Sequence, residues 1–536
     1  MKILAPFCFL LPVIILANCS VSKKAGSGTS SNDVDSMIVK EASLPVLIGR
    51  TENIITSVRI NVNKPVSLKT LHLSLKGTTN IGDLENIAVY KTEKSEKFNT
   101  STRFSSTGNV EKEMTLTGEL KLEPGIHNLW ITVRVNPGIE LANKISVDCE
   151  SLLFNENIKL TPQPHEPFTG SRPGIALRSH GEDGINTYRI PGLATTNKGT
   201  LIAVYDNRRN GGVDLQADID VGMSRSTDGG KTWSPMKVIM DMGTYGGLPQ
   251  DQNGIGDPSV LVDTKTNTIW VAAVWAHGHP GKRNWIASKP GISPEETSQF
   301  VLVKSEDDGL TWSAPINITK QVKNADWYLL LQGPGKGITM KDGTLVFPAQ
   351  FKDKNQIPHS TIIYSKDRGQ SWQIGTGAKE NTTEAQVVEL QDGSLMLNMR
   401  DNLGGSRSVA VTKDMGSTWK EHQSSRSALP EPVCMASLDE FIIKKNDGTH
   451  RSILLFSNPN TTKGRYNITL KTSLDEGKTW PEKYFTLLDA GIGSGYSCLS
   501  QIDDYRVGIL YESSQAQLVF QVIDLRQVMA EKVLWQ

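Results

Sequence analysis

Cysteine is scarce, and neither sign of charge is in surplus; each shortage excludes something. Of five cysteines in 536 residues, Cys8 and Cys19 fall in the apolar N-terminal stretch. The remaining Cys149, Cys434 and Cys498 are odd in number and far apart, which argues against a disulfide framework and fits no zinc-ligand spacing. Histidines number nine. His277 and His279 stand two apart with no third ligand near them in sequence, and a metal site needs three or four converging ligands, so no metal and no organic cofactor is expected. Lys+Arg and Asp+Glu each count 57. That balance gives no reason to expect nucleic acid or an anionic membrane as partner, and any anion site has to be local. Long apolar runs are also missing. After Lys2, the run Ile3 to Ala17 is shorter than the ~20 residues that span a bilayer and contains Pro6 and Pro12, so residues 1–19 read as an export signal rather than a membrane span. The Leu16-Ala17-Asn18-Cys19 sequence resembles a lipobox, leaving two fates for the exported chain: lipid anchorage at Cys19 on the outer membrane, or release to the periplasm or medium.

What is present is strand and turn chemistry. Glycine counts 47 and tryptophan 11, a composition that suits many short strands joined by turns. After a Ser/Gly/Lys-rich linker over residues 20–35, residues 36–168 alternate apolar with polar positions. Ile55-Thr-Ser-Val-Arg-Ile-Asn-Val62, Leu71-His-Leu-Ser-Leu75 and Leu129-Trp-Ile-Thr-Val-Arg-Val135 show this period of two, the signature of strands with one buried face. A β-sandwich is expected there.

From residue 169 a different pattern organises the chain. The motif Ser-x-Asp-x-Gly-x-Thr-Trp occurs as Ser226…Trp233, Ser305…Trp312, Ser365…Trp372, Thr412…Trp419 and Ser473…Trp480, its aspartates 79, 60, 47 and 61 residues apart. That spacing allows one four-stranded blade per repeat. In each copy the Asp can accept backbone N–H bonds, the Gly supplies positive φ and the Trp fills space between blades. Such turns hold a fold together and do not by themselves specify a function.

Tyr188-Arg189-Ile190-Pro191, ahead of the first repeat, makes the pattern specific. With the five repeats it resembles the signature of bacterial sialidases, glycoside hydrolase family 33, over about Gly174 to Leu525. The whole layout is similar to Bacteroidetes members that add an N-terminal carbohydrate-binding β-domain. The resemblance implies an all-β chain: a β-sandwich, then a six-bladed β-propeller over residues 169–536. It implies an exo-α-sialidase that releases terminal sialic acid from glycoproteins, glycolipids, mucin or oligosaccharides, with retention and through a sialyl-tyrosine intermediate. A trans-sialidase and a non-catalytic sialic-acid-binding propeller are the alternatives.

The chemistry gives these residues a reason. Sialic acid carries a carboxylate on its anomeric carbon, and arginine binds a carboxylate through a planar fork that never loses its charge. By resemblance these arginines are Arg189, Arg400 and Arg465, with Glu512 as the acid that orients Arg189. An anionic nucleophile would be repelled by the substrate carboxylate, and sialidases use tyrosine instead. The matching positions are Tyr496 and its partner base Glu384. Asp214, in the Gly-rich Gly211-Gly-Val-Asp214, matches the acid/base and would need a raised pKa to hold its proton. Arg208 matches a substrate contact, with Arg209 as its confounder, and Asp218 and Asp220 are expected to face solvent or a strand turn. The Gly-rich stretch Gln332 to Ile338 is expected to line the rim of the site. A lectin would need the arginines but not an acid with an activated nucleophile.

Overall fold

The computed structural model describes residues 33–92 and 97–529; the export segment, Cys19 and residues 20–32 of the linker lie outside the described residues. The chain is all-β, and no helix among the described residues exceeds four residues. None is long and apolar enough to cross a membrane.

The first strand, Val34–Glu41, begins within the stretch expected to be linker. It joins Asn53–Val62, Gly125–Val135, Leu84–Thr92 and Thr102–Thr107 in a five-stranded sheet. A second sheet orders Lys159–Leu160, Asp148–Phe154, Val66–Ser74 and Glu113–Leu122. Alternation sends Val58, Ile60, Leu71, Leu73, Ile131, Val133 and Leu152 into one core between the two sheets, while polar neighbours such as Arg59 stay outside.

Residues 173–524 form six further sheets. In the first, Thr187–Thr195, Leu201–Arg208, Ile219–Ser226 and Lys237–Met240 follow one another in antiparallel order. The next four sheets begin their main runs at Ile255–Asp263, Leu345–Lys352, Thr382–Glu389 and Ser437–Lys444. The sixth begins at Ser497–Gln501. Each of these leading strands packs on the leading strand of the next sheet, and Ser497–Gln501 packs back on Thr187–Thr195. The sixth sheet takes three strands from the C-terminal part, ending in Leu518–Asp524, and its fourth, Pro173–Arg178, from far upstream. Val46–Leu47 adds a fifth strand, parallel to Pro173–Arg178.

All five repeat motifs fold alike, between the third and fourth strands of the first five sheets, Leu329–Gln332 standing first in the third sheet ahead of Leu345–Lys352. In the third sheet, Asp367 Oδ1 accepts from the Ser365 hydroxyl at 2.7 Å and the Ser371 amide at 2.9 Å, and Oδ2 accepts from the Ser371 hydroxyl at 2.5 Å. Arg368 and Gly369 both have positive φ, 57° and 83°. A Cβ on Gly369 would stand 2.4 Å from Trp270 of the preceding sheet, so the turn needs glycine for space as well as for conformation. Trp372, Trp480 and Trp233 pack into cores shared with the preceding sheet. The sixth sheet lacks the motif for a topological reason. Its third and fourth strands are not consecutive in the chain, so no turn joins them.

Candidate active site

The leading strands kink where they approach a shared pocket. The pairing of Thr187–Thr195 shifts register between Arg189 and Gly192, that of Ile255–Asp263 between Gly256 and Ser259, and that of Thr382–Glu389 between Thr382 and Ala385. Ile190 and Asp257 take positive φ, 58° and 57°, a costly state for the β-branched Ile190 that the surroundings must impose. Such bulges re-aim side chains. Here they face a cavity of about 530 Å³ lined by Arg189, Asp214, Glu384, Arg400, Arg465 and Tyr496. Six residues singled out in the sequence thus meet at one place, although 307 positions separate the first from the last.

The other two stand immediately behind. Glu512 is buried; its Oε1 accepts from Arg189 Nε at 2.5 Å and from the Ile190 amide at 3.0 Å, and its Oε2 accepts from the Tyr496 amide at 2.9 Å. One carboxylate therefore fixes both an arginine and the backbone of the tyrosine. Burial, the largest single influence, would raise the Glu512 pKa, but the Arg189 charge together with the hydrogen bonds from Arg189, Ile190 and Tyr496 outweighs it and holds the carboxyl below its usual range. Arg208 is also buried. Its Nη1 donates to Asp214 Oδ1 at 2.8 Å, and Nε and Nη2 donate to Asp206 Oδ2 at 3.1 and 2.9 Å.

Tyr496 sits at the centre. Its hydroxyl donates to Glu384 Oε1, and Arg400 Nη1 reaches both Glu384 Oε2, at 2.5 Å, and the Tyr496 hydroxyl, at 3.2 Å. The Arg189 and Arg465 guanidiniums lie 5.4 and 5.6 Å from the ring centroid. Arg465 is aimed by the carbonyls of Ser494 and Val433, at 2.9 and 3.2 Å. Burial first, and the Glu384 charge second, push the phenol well above its usual range, with Arg400 opposing them.

Asp214 departs from expectation. Burial pushes its carboxyl up, but Arg208 and Arg189 outweigh that, and the net shift is downward. Its side chain is 57% exposed, so solvent stabilises the charged form as well. Asp220 is a correction: it is fully buried and accepts from Asn207 and Arg209, at 2.6 and 2.9 Å. This occupies Arg209, while Arg208, 1% exposed, stays behind the cavity wall and meets the pocket through Asp214. The stretch Gln332 to Ile338 is a second correction. It does not line this cavity; Gly335–Lys336 pairs with Ile255–Asp263 as a strand, and Lys336 faces the mouth of a different pocket.

Sequence reasoning missed Asp257, Arg283, Asn284, Gln350, Thr383 and Asn402, which complete the polar lining, and the apolar corner of Leu215, Trp285, Ile286, Leu329 and Leu331. Asp257 is held well above the usual carboxylate range by burial and by the Asp206 charge. The sequence Gly256-Asp257-Pro258 carried no signal for it, because the kink there appears only in the strand pairing. His277 Nδ1 pairs with Asn253 Oδ1 at 2.7 Å, and the described residues contain no cluster able to hold a metal ion.

Family models match two parts of the chain: a BNR repeat-like domain over residues 190–482, and the N-terminal domain of BNR-repeat neuraminidase over residues 34–157. The chain is 48% identical to the sialidase of Bacteroides fragilis (strain YCH46) over 520 residues, 92% of this chain and 95% of that one. It is 34% identical to the sialidase of Clostridium perfringens over 61% of this chain and 86% of that one. Among solved structures, Hadza microbial sialidase Hz136 superposes with a TM-score of 0.84 at 44% identity, covering 91% of this chain and 99% of that one. These matches define the class as a BNR-repeat glycoside hydrolase. The chain belongs to the sialidase family.

Proposed function

We propose that the protein is an exo-α-sialidase that releases terminal α-linked sialic acid from glycoproteins, glycolipids and oligosaccharides with net retention, Tyr496 being the nucleophile. The observation that carries this reading is the Tyr496–Glu384–Arg400 contact beneath two further guanidiniums. Arg189, Arg400 and Arg465 would take the substrate carboxylate, which explains three cations on one side of a small cavity. With that charge at the anomeric carbon, a neutral phenol approaches where a carboxylate would be repelled. As the phenol oxygen bonds to the anomeric carbon, its proton passes to Glu384. The raised phenol pKa keeps the tyrosine neutral until that moment.

Asp214 would give a proton to the departing oxygen and then take one from the water that cleaves the sialyl-tyrosine bond. Its lowered pKa belongs to the open pocket. A sugar seated against it removes solvent from a half-exposed carboxyl, and desolvation raises the pKa. Asp257 in the cavity wall would hold a ring hydroxyl, and Arg208 behind the wall would orient Asp214. An acid with a paired nucleophile favours catalysis over a lectin role.

For the architecture, the reading is a six-bladed β-propeller over residues 169–536, preceded by a β-sandwich over 36–168. Six sheets with leading strands in sequential contact, the sixth touching the first, support it. Export and a lipid at Cys19 rest on the sequence of residues 1–19, and glycan binding by the N-terminal unit rests on the family layout.

The test is a fluorogenic α-sialoside with the wild type and Tyr496→Phe, with NMR to identify the first-formed anomer of the released sugar. Turnover with the α-anomer appearing first, abolished by the substitution, is the expected result. Release by Tyr496→Phe at the wild-type rate, or first appearance of the β-anomer, would overturn the mechanism.

A further inference from the structure

Behind the pocket lies a second ion pair that no step above uses. Arg407 and Glu431 are each 0% exposed, with Arg407 Nη1 3.0 Å from Glu431 Oε2. A buried pair is weak evidence for stability, because desolvating two charges costs about what their attraction returns. What the pair holds in place is more informative.

On one side it grips the strand Leu395–Asp401, which presents Arg400. Arg407 Nε donates to Asn398 Oδ1 at 2.7 Å and Nη2 to the Asn398 carbonyl at 3.1 Å, while Glu431 Oε1 accepts from the Asp401 amide at 2.7 Å. Asn398 and Asp401 bracket Arg400. On the other side the pair grips the turn at Val433 and Cys434. Arg407 Nη1 donates to the Cys434 carbonyl at 2.8 Å, and Glu431 Oε2 accepts from the Cys434 amide at 3.4 Å. That turn touches two further site residues, Arg465 and Tyr496. The Val433 carbonyl accepts from Arg465, and Cys434 packs in one cluster with Ile190 and Tyr496. Val433 has a φ of 56°, a conformation that persists only where the surroundings over-determine it.

We propose that Arg407 and Glu431 are positioning residues, one buried pair that clamps the strand bearing Arg400 and the turn supporting Arg465 and Tyr496 into a single body. The inference rests on the reading of those three residues as carboxylate ligands and nucleophile. It explains why a costly pair is kept where it touches no substrate: a displacement of ~1 Å at reacting groups can cost about a hundredfold in rate.

Two variants test it. Glu431→Gln keeps the shape and one acceptor but sets an amide against Arg407. The double variant Arg407→Met/Glu431→Gln removes both charges and leaves no guanidinium unpaired. Asp439→Asn, which breaks the Lys336–Asp439 pair (2.8 Å) on the lining of a different pocket, is the control for loss of a buried pair. On the fluorogenic α-sialoside, kcat/KM is expected to fall about a hundredfold in both test variants, with kcat lowered and KM raised together. Partial unfolding would instead lower kcat at unchanged KM, and the control is expected to keep wild-type kinetics. A folded double variant with wild-type kcat and KM would overturn the proposal. Crystal structures of the same variants read positioning without turnover. Displacement of Arg465 or Tyr496 relative to Arg189 supports the clamp, and unmoved groups overturn it. Turnover by the wild type separately tests the sialidase reading, so the two failures are distinguishable.

Discussion

At the scale of single residues, Asp214 is where geometry and chemistry pull in opposite directions. Its ion pair with Arg208 (2.8 Å) favours the charged form, yet an acid must hold its proton until the bond breaks. Asp214→Asn removes the proton donor while keeping the shape. With a poor leaving group, such as a sugar hydroxyl, kcat/KM is expected to fall by roughly 10²–10⁴-fold. With a nitrophenyl leaving group, which departs without protonation, the loss is expected to be much smaller. Parallel assays of sialyllactose and a nitrophenyl sialoside check this; equal losses on both would remove Asp214 from the acid role. Much of this site was legible because the chemistry forces residue types. An anomeric carboxylate demands arginines, and a nucleophile beside it must be neutral, so Arg189, Arg400, Arg465 and Tyr496 could be sought in local motifs. Asp257 was not legible. Its importance comes from burial next to Asp206, and burial is a property of the packed sheets, not of a lone Asp before a proline.

At the scale of the turn, the five repeats store acid-sensitive stability. Hydrogen bonds from the hydroxyl and amide of Ser371, chiefly the hydroxyl, hold the Asp367 carboxyl down to about 2. A depressed carboxyl stabilises the fold above its unfolded pKa of ~3.9 and stops doing so as pH falls through about 2. Asp367→Asn is therefore expected to lower neutral-pH stability by about 1 kcal/mol, the order of one net hydrogen bond, with the gap to wild type closing as pH falls from about 4 toward about 2. Urea titrations at several pH values measure the gap; one that stays constant to pH 2 would remove the carboxylate from this role. Gly369→Ala attacks the same turn through its backbone. Left-handed φ costs an L-residue about 1–2 kcal/mol, and the 2.4 Å approach to Trp270 adds to that, so its midpoint is expected to fall further than that of Asp367→Asn. Turn chemistry was readable because it is local. The stretch Gln332 to Ile338 misled for the converse reason: glycines there let the strand Gly335–Lys336 lie against its neighbours, with a Cβ on Gly337 2.5 Å from the Val346 carbonyl. Only the neighbouring strands reveal that.

At the scale of the whole molecule, net neutrality hides a local concentration of cations round one pocket, and the same sheet that holds Glu512 depends on residues near the N-terminus. Periodicity separated the two units in the sequence but could not show that Val46–Leu47 crosses between them to pair with Pro173–Arg178. Leu47 is 3% exposed in a core with Phe441, Ile443 and Leu455. Arg50 donates to the Gln515 side chain and carbonyl, both at 2.6 Å, three residues beyond Glu512, and Gln517 accepts from the Tyr188 amide at 2.9 Å. The first unit thus braces the segment that orients Arg189. A chain beginning at residue 169 is expected to lose at least about 1.5–3 kcal/mol of stability because it lacks Leu47 and so uncovers Phe441, Ile443 and Leu455, together with an increased KM as Glu512 and Arg189 loosen. Denaturant titration and sialoside kinetics on the full and shortened chains measure both effects, and retention on sialylated mucin by the same two proteins tests glycan binding independently. An unchanged midpoint and KM would mean that the brace is idle. A lower midpoint with unchanged mucin retention would make the first unit a structural part of the sialidase and not a glycan-binding one.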